Sequence, residues 1–90
     1  MYRFFMTAEF LKQLDRMEPP IRKKLNRKIE EYVSIQLKQE PHFGRKIKKL
    51  RYYDPETWRY RIGNFRLFYV IDEKEKIVVM ISVDHRKDAY

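Results

Sequence analysis

The run Trp58-Arg59-Tyr60-Arg61-Ile62-Gly63-Asn64-Phe65-Arg66-Leu67-Phe68-Tyr69 constrains the fold more than any other part of the chain. Gly63-Asn64 stands between two runs rich in aromatic and branched residues, which is the place and the chemistry of a two-residue hairpin turn. With those two residues as the turn, Ile62 pairs with Phe65, Arg61 with Arg66, Tyr60 with Leu67 and Arg59 with Phe68. Directly opposed residues share a sheet face, as do residues two apart on one strand. Arg59, Arg61 and Arg66 therefore project from one side. Trp58, Tyr60, Ile62, Leu67 and Tyr69 project from the other, where a helical layer would cover them.

Opposed like charges destabilise a strand pair, so stability alone does not account for Arg61 across from Arg66. Guanidinium groups are forked donors matched to phosphate, and a bound phosphodiester would relieve the repulsion. The alternative is that these arginines are solvated or paired with carboxylates such as Asp54 and Glu56. A turn longer than two residues would shift the register and part Arg66 from Arg61.

The rest of the chain supplies the covering layer. Residues 2–6 read as a short strand. Thr7 can cap the helix that follows, with Glu9 in its first turn, where a carboxylate suits the helix dipole. Phe10, Leu11, Leu14 and Met17 recur at helical spacing. Pro19-Pro20 stops that helix, and Pro20 can open the next. There Ile21, Leu25, Ile29, Tyr32 and Val33 form an apolar stripe, while Arg22, Lys23, Lys24, Arg27 and Lys28 make the first half basic. Pro41 and Gly44 end the helical part. Strands are predicted near 57–62, 65–71 and 76–83, with a shorter one around 46–51. Asp72-Glu73-Lys74-Glu75 makes a polar turn. The helical hairpin must bury its stripe on the sheet, giving an α+β fold: N-terminal strand, helical hairpin, then an antiparallel meander.

Ninety residues hold one domain, 1–90. Twenty-one Lys and Arg against thirteen Asp and Glu leave a formal charge of +8, a field that draws in polyanions. There is no Cys, hence no disulfide or thiolate chemistry. No apolar run is long enough to span a membrane. Met1-Tyr2-Arg3-Phe4-Phe5-Met6 turns polar too soon for a signal peptide. A cytoplasmic protein with no membrane partner is expected.

The last predicted strand leads into Asp84-His85-Arg86-Lys87-Asp88-Ala89-Tyr90. Histidine ordinarily titrates near neutrality, so His85 is a candidate general acid or base, and equally a surface or packing residue. Arg86 can hold a phosphate. Tyr90 can stack on a base or donate a hydrogen bond, or fray as a terminus. His42, between Pro41 and Phe43, has no evident partner and reads as structural or exposed. No His, Asp or Glu spacing suggests a metal site. Neither a Gly-rich phosphate loop nor a nucleophile elbow is present, so neither metal nor cofactor is expected.

Taken together, Ile47-Lys48-Lys49-Leu50, the arginine hairpin and His85-Arg86-Lys87-Asp88-Ala89-Tyr90 resemble the RelE/ParE superfamily of bacterial and archaeal toxins across the whole chain. The resemblance implies the RelE-like microbial ribonuclease fold. It implies a toxin that enters the ribosomal A site, contacts 16S rRNA and cuts mRNA there without metal. The ribose 2′-hydroxyl attacks the adjacent phosphate and leaves a 2′,3′-cyclic phosphate. Arg66 and Arg86 match the arginines that bind and stabilise the scissile phosphate, and Tyr90 resembles the terminal tyrosine that orients the substrate. Arg59 and Arg61 stand where some members carry lysines, so they suit substrate binding and charge stabilisation but not proton abstraction. Lys48 falls near the place of a glutamate base in the YoeB branch. Lys48 and His85 thus both remain candidates for the base.

The resemblance also implies a cognate antitoxin that covers the basic face, with Phe4, Phe5 or Phe68 in the dock. The toxin alone would be a monomer and the complex a heterotetramer. Two alternatives share the charge pattern. One is a ParE-type inhibitor of DNA gyrase, although such members generally lack the full set Arg59, Arg61, Arg66, Arg86 and Tyr90. The other is a non-catalytic nucleic-acid-binding module.

Overall fold

The computed structural model describes residues 1–85; Arg86 and Tyr90 lie outside the described residues. Gly63 takes a left-handed backbone, φ 53°, which a residue without Cβ adopts at little cost. The turn therefore stays at two residues and the hairpin closes in the expected register. Strands β3 (Trp58–Ile62) and β4 (Phe65–Asp72) pair Ile62 with Phe65, Arg61 with Arg66, Tyr60 with Leu67 and Arg59 with Phe68.

The sheet has five strands in the order β1-β5-β4-β3-β2. Strand β2 (Ile47–Lys49) pairs antiparallel with β3, and β5 (Ile77–His85) pairs antiparallel with β4. Strand β1 (Arg3–Met6) adds to the far edge of β5 in parallel, from Arg3 beside Ile77 to Met6 beside Met80. The meander is antiparallel as expected; the parallel edge is an addition that the helical crossover between β1 and the meander makes possible.

Local chemistry accounts for the helical layer. Thr7 caps α1 (Ala8–Asp15), its hydroxyl accepting from the Phe10 N–H at 3.1 Å. Helix α2 (Pro19–Lys28) opens on the two prolines, where the missing N–H groups cost nothing. The chain continues through one π-helical turn (Ile29–Val33) into α3 (Ser34–Gln39). Leu25, Ile29, Val33 and Leu37 are all buried and spaced by four. Four-residue steps drift by about 40° each on an α-helix. A wider turn with i→i+5 bonds takes up that drift and keeps the stripe on the sheet. The π turn also separates Tyr32 from the stripe assigned to it: Tyr32 is 61% exposed.

The core lies between these helices and one sheet face. Phe10, Leu14, Leu25, Ile29, Val33 and Leu37 meet Trp58, Tyr60, Ile62, Leu67, Tyr69, Val78, Met80 and Val83. Each such side chain contributes roughly 1.5–3 kcal/mol when removed from water. Among the described residues, no element covers the other face of the sheet.

One irregularity matters for the site. Tyr69 pairs with Met80, but Phe68 pairs with Ser82, so Ile81 is an extra residue in β5. Such a bulge flips every following side chain to the opposite face. The burial sequence records it: Val78 and Met80 face the core, and then Val83 does. Past the point where β1 ends, the Val83 N–H donates to the Gln13 side chain at 2.7 Å, which ties this end of β5 to α1.

Candidate functional site

The sheet face opposite the helices carries two rows of side chains. Lys48 faces Arg59, Arg59 faces Phe68, and Phe68 faces Ser82. One step nearer the turn, Arg61 faces Arg66 and Arg66 faces Asp84. The Arg61 N–H donates to the Lys46 carbonyl at 3.0 Å, so the residues before β2 continue the ladder. Arg45, Lys46, Arg59 and Arg61 line an open cavity of about 480 Å³.

Four cations lining one cavity repel one another and hold a site for anions. The inner nitrogens sharpen this. The Nε of Arg59 and the Nε of Arg66 are shielded from water with no hydrogen-bond partner among the described residues. A shielded donor without an acceptor is costly, and a phosphate oxygen supplies the acceptor.

Arg66 has one partner already. Its Nη2 donates to Asp84 Oδ2 at 2.6 Å. The carboxylate thus comes from the directly opposed residue on β5. Glu56 pairs instead with Lys49 at 2.9 Å, and no ion pair joins Asp54 to an arginine among the described residues.

Arg59, Arg61 and Arg66 thus share one face as expected, and Lys48 joins them from its place opposite Arg59. His85 does not. It lies opposite Phe65 on the core-facing side, its ring stacked on Phe65 at 4.3 Å and 14°. It lines a cleft beside α2 with Ile21, Leu25 and Phe65, rimmed by Lys24 and Lys28. The expectation of His85 as a base beside the arginines does not fit this geometry, and the bulge at Ile81 is the reason. Asp84 takes that place on the face. Reading the sequence missed Asp84, because β5 gives no local sign of the extra residue. Arg45 and Lys46 were missed as well, although Lys46 is two residues from Lys48 and so shares its side of an extended strand. Of the apolar residues considered for a dock, Phe4 packs against the core, Phe68 is half-buried and Phe5 is 48% exposed.

The marked titration shifts lie elsewhere. His42 does have partners: Nδ1 meets Glu40 Oε2 at 2.9 Å and Nε2 meets Glu73 Oε2 at 2.5 Å. The hydrogen bond to Glu73, reinforced by Glu40, holds the imidazole above its ordinary range. Glu73 is lowered by its bonds to His42 and to the Tyr2 hydroxyl, and Glu40 is lowered by the His42 N–H and ring. This cluster joins the start of β1, the loop before β2 and the β4–β5 turn, and the His42 ring packs edge-on against Trp58 at 5.4 Å. Its role is structural, one of the two readings the sequence left open, through Glu40 two residues away and Glu73 distant in the chain. Among the described residues, no group of three or more His, Cys, Asp or Glu could hold a metal ion and no helix is long and apolar enough to cross a membrane.

Known proteins share both the sequence pattern and the fold. Residues 4–90 match the family described as the ParE toxin of the type II toxin–antitoxin system parDE. The toxin–antitoxin complex RelBE2 of Mycobacterium tuberculosis contains a chain 32% identical, with TM-score 0.73 and coverage of 97% of this chain and 93% of that one. A chain of the RelB–RelE antitoxin–toxin complex from Methanococcus jannaschii is 27% identical, with TM-score 0.64 and coverage of 96% and 94%. The isolated RelE toxin of Escherichia coli, 20% identical over 99% of this chain and 88% of its own, shares the fold at TM-score 0.70. No protein of curated function matches significantly. With a family match across nearly all its length and a cationic sheet face on a RelE fold, the chain belongs to the RelE/ParE family of toxins of type II toxin–antitoxin systems.

Proposed function

We propose that this toxin is a metal-independent endoribonuclease that cuts mRNA in the ribosomal A site. The observation that carries the reading is the directly opposed pair Arg61 and Arg66, beside Arg59, whose shielded Nε has no partner among the described residues. A sheet face so built gains stability when a phosphodiester sits on it. The 2′-hydroxyl oxygen would form a bond to the adjacent phosphorus while the bond to the 5′-oxygen breaks. A 2′,3′-cyclic phosphate and a 5′-hydroxyl result. Negative charge builds on the phosphoryl oxygens during that step, and preorganised guanidinium groups stabilise it more than they stabilise the ground state. The 2′-hydroxyl proton needs an acceptor and the leaving oxygen a donor. Lys48 and Asp84 stand on this face for those roles, and Arg86 and Tyr90 would complete the site from the C-terminal residues. Such an activity belongs in the cytoplasm, with 16S rRNA against the basic surface. A cognate antitoxin would silence the toxin by covering the same face.

Programmed ribosomes incubated with the purified toxin test this. Cleavage with cyclic-phosphate ends, abolished by Arg61→Ala with Arg66→Ala, is the expected result. Intact mRNA with the wild type would overturn it.

The match to the ParE toxin family favours a second reading, poisoning of DNA gyrase by binding alone. A supercoiling assay separates the two: inhibition at stoichiometric toxin, with mRNA left intact, would support gyrase as the target.

A further inference from the structure

Beyond the arginine face, the loop between β2 and β3 carries a feature that the proposed cleavage does not use. The loop is closed at its base by the Leu50 N–H donating to the Thr57 carbonyl at 2.9 Å. Tyr52 at its tip is 100% exposed and Tyr53 is 58% exposed. Tyr52 also holds a left-handed backbone, φ 64°, which a bulky side chain rarely adopts and which Gly or Asn would adopt at less cost. No packing compensates for that strain, because the ring touches solvent on all sides. Backbone strain of this kind at an exposed residue is more common at ligand-binding loops than in scaffolding.

The surroundings indicate the ligand. Lys49, Leu50, Arg51, Tyr52, Tyr53 and Glu56 line an open cleft of about 580 Å³. Glu56 is engaged with Lys49, which leaves Arg51 as the charge in the cleft with no ion pair among the described residues. Arg45 and Lys46 precede β2 and Lys48 lies in it opposite Arg59, whereas Lys49, opposite Trp58, belongs to the other face; cations therefore lead from the arginine face through Lys48 toward the loop that carries Arg51 and the two tyrosines. Exposed rings at the end of a cationic track are how sequence-tolerant binders hold unpaired bases, which stack on the rings while cations follow the phosphates.

We infer that the β2–β3 loop is a stacking arm for single-stranded RNA: Tyr52 and Tyr53 receive bases flanking the arginine face, and Arg51 holds the phosphate between them. The inference extends the proposed function but does not require cleavage. An acidic protein segment is the competing occupant. It is disfavoured because the loop offers separate rings on a strained tip and no continuous apolar groove.

The test is binding of a fluorescent 2′-O-methyl oligonucleotide, which lacks the nucleophile, across a salt series. Tyr52→Ala and Tyr53→Ala should each weaken binding by about tenfold without changing the salt slope. Tyr52→Phe should bind as the wild type does. Arg51→Ala should lower the salt slope by about one phosphate contact. Tm should stay unchanged in the Tyr52 variants, since that ring packs on nothing. An affinity loss below twofold in the double variant overturns the inference and leaves the loop to a protein partner. A wild type that fails to bind the oligonucleotide overturns it too. A wild type that binds RNA through the tyrosines yet never cuts ribosomal mRNA would remove the cleavage reading alone.

Discussion

Asp84 sits directly across β4–β5 from Arg66 and accepts its guanidinium hydrogen bond at 2.6 Å. That carboxylate is the one negative group in the two described rows of the cationic face. It holds Arg66 in a fixed position and, half-exposed to water, offsets part of its charge, two effects of opposite sign on RNA.

Replacing Asp84 separates them. Asp84→Asn should tighten binding of uncleavable RNA a few-fold, as removal of an exposed carboxylate from a cationic surface does. It should slow cleavage by about tenfold or more, since a displaced phosphate ligand costs far more in rate than in binding. Affinity measured by fluorescence anisotropy and single-turnover cleavage on ribosomes give the two numbers.

Arg61 and Arg66 exchange stability for charge. Arg61→Thr should raise thermal stability by up to about 1 kcal/mol, because a like-charged cross-strand pair becomes neutral on one side. For a domain of this size that is an increase in Tm of about 4–8 °C at most. The same variant should lose RNA affinity. Calorimetry and binding must move in opposite directions; a Tm that falls would contradict the assigned repulsion.

His85 belongs to the other face, stacked on Phe65. His85→Asn should therefore leave the cleavage rate within about threefold of wild type, well short of the 100- to 10,000-fold that general acid–base catalysis contributes. A loss of that size would bring His85 back into the reaction.

The His42 cluster sets a pH window for stability. His42 is raised in the folded state, so its contribution is complete below the ordinary histidine pKa near 6.5 and disappears as pH climbs through the raised value. Glu40 and Glu73 are lowered, so theirs is complete above the ordinary 4.5 and disappears as pH falls through the lowered values. Stability should be greatest between those limits. His42→Asn should flatten the alkaline decline in urea unfolding across pH 5–9; an unchanged profile would show the cluster to be energetically silent.

Tyr69 tests the core beneath the site. Its buried hydroxyl donates to the Pro41 carbonyl at 2.7 Å. Tyr69→Phe should destabilise by about 1–3 kcal/mol, since the carbonyl loses its partner. RNA cleavage at a temperature well below Tm should be unaffected.

Much of this fold is dictated locally. Gly63-Asn64 fixes a two-residue turn, and period-two alternation on either side then fixes the pairing of Arg61 with Arg66 and puts Arg59 on their face. The helical stripe, the Thr7 cap and the opening prolines are equally local, because capping and burial at helical spacing need only neighbours in the chain. Beyond that reach, tertiary packing took over. One extra residue at Ile81 put Asp84 rather than His85 beside the arginines, and His42 found Glu73 across 31 positions of sequence. A bulge is set by how β5 must satisfy β4, β1 and α1 at once, and a contact between distant loops exists only after the sheet has closed. The residue types of the site could be read from the sequence. Which of them share a face was decided when β5 found its register.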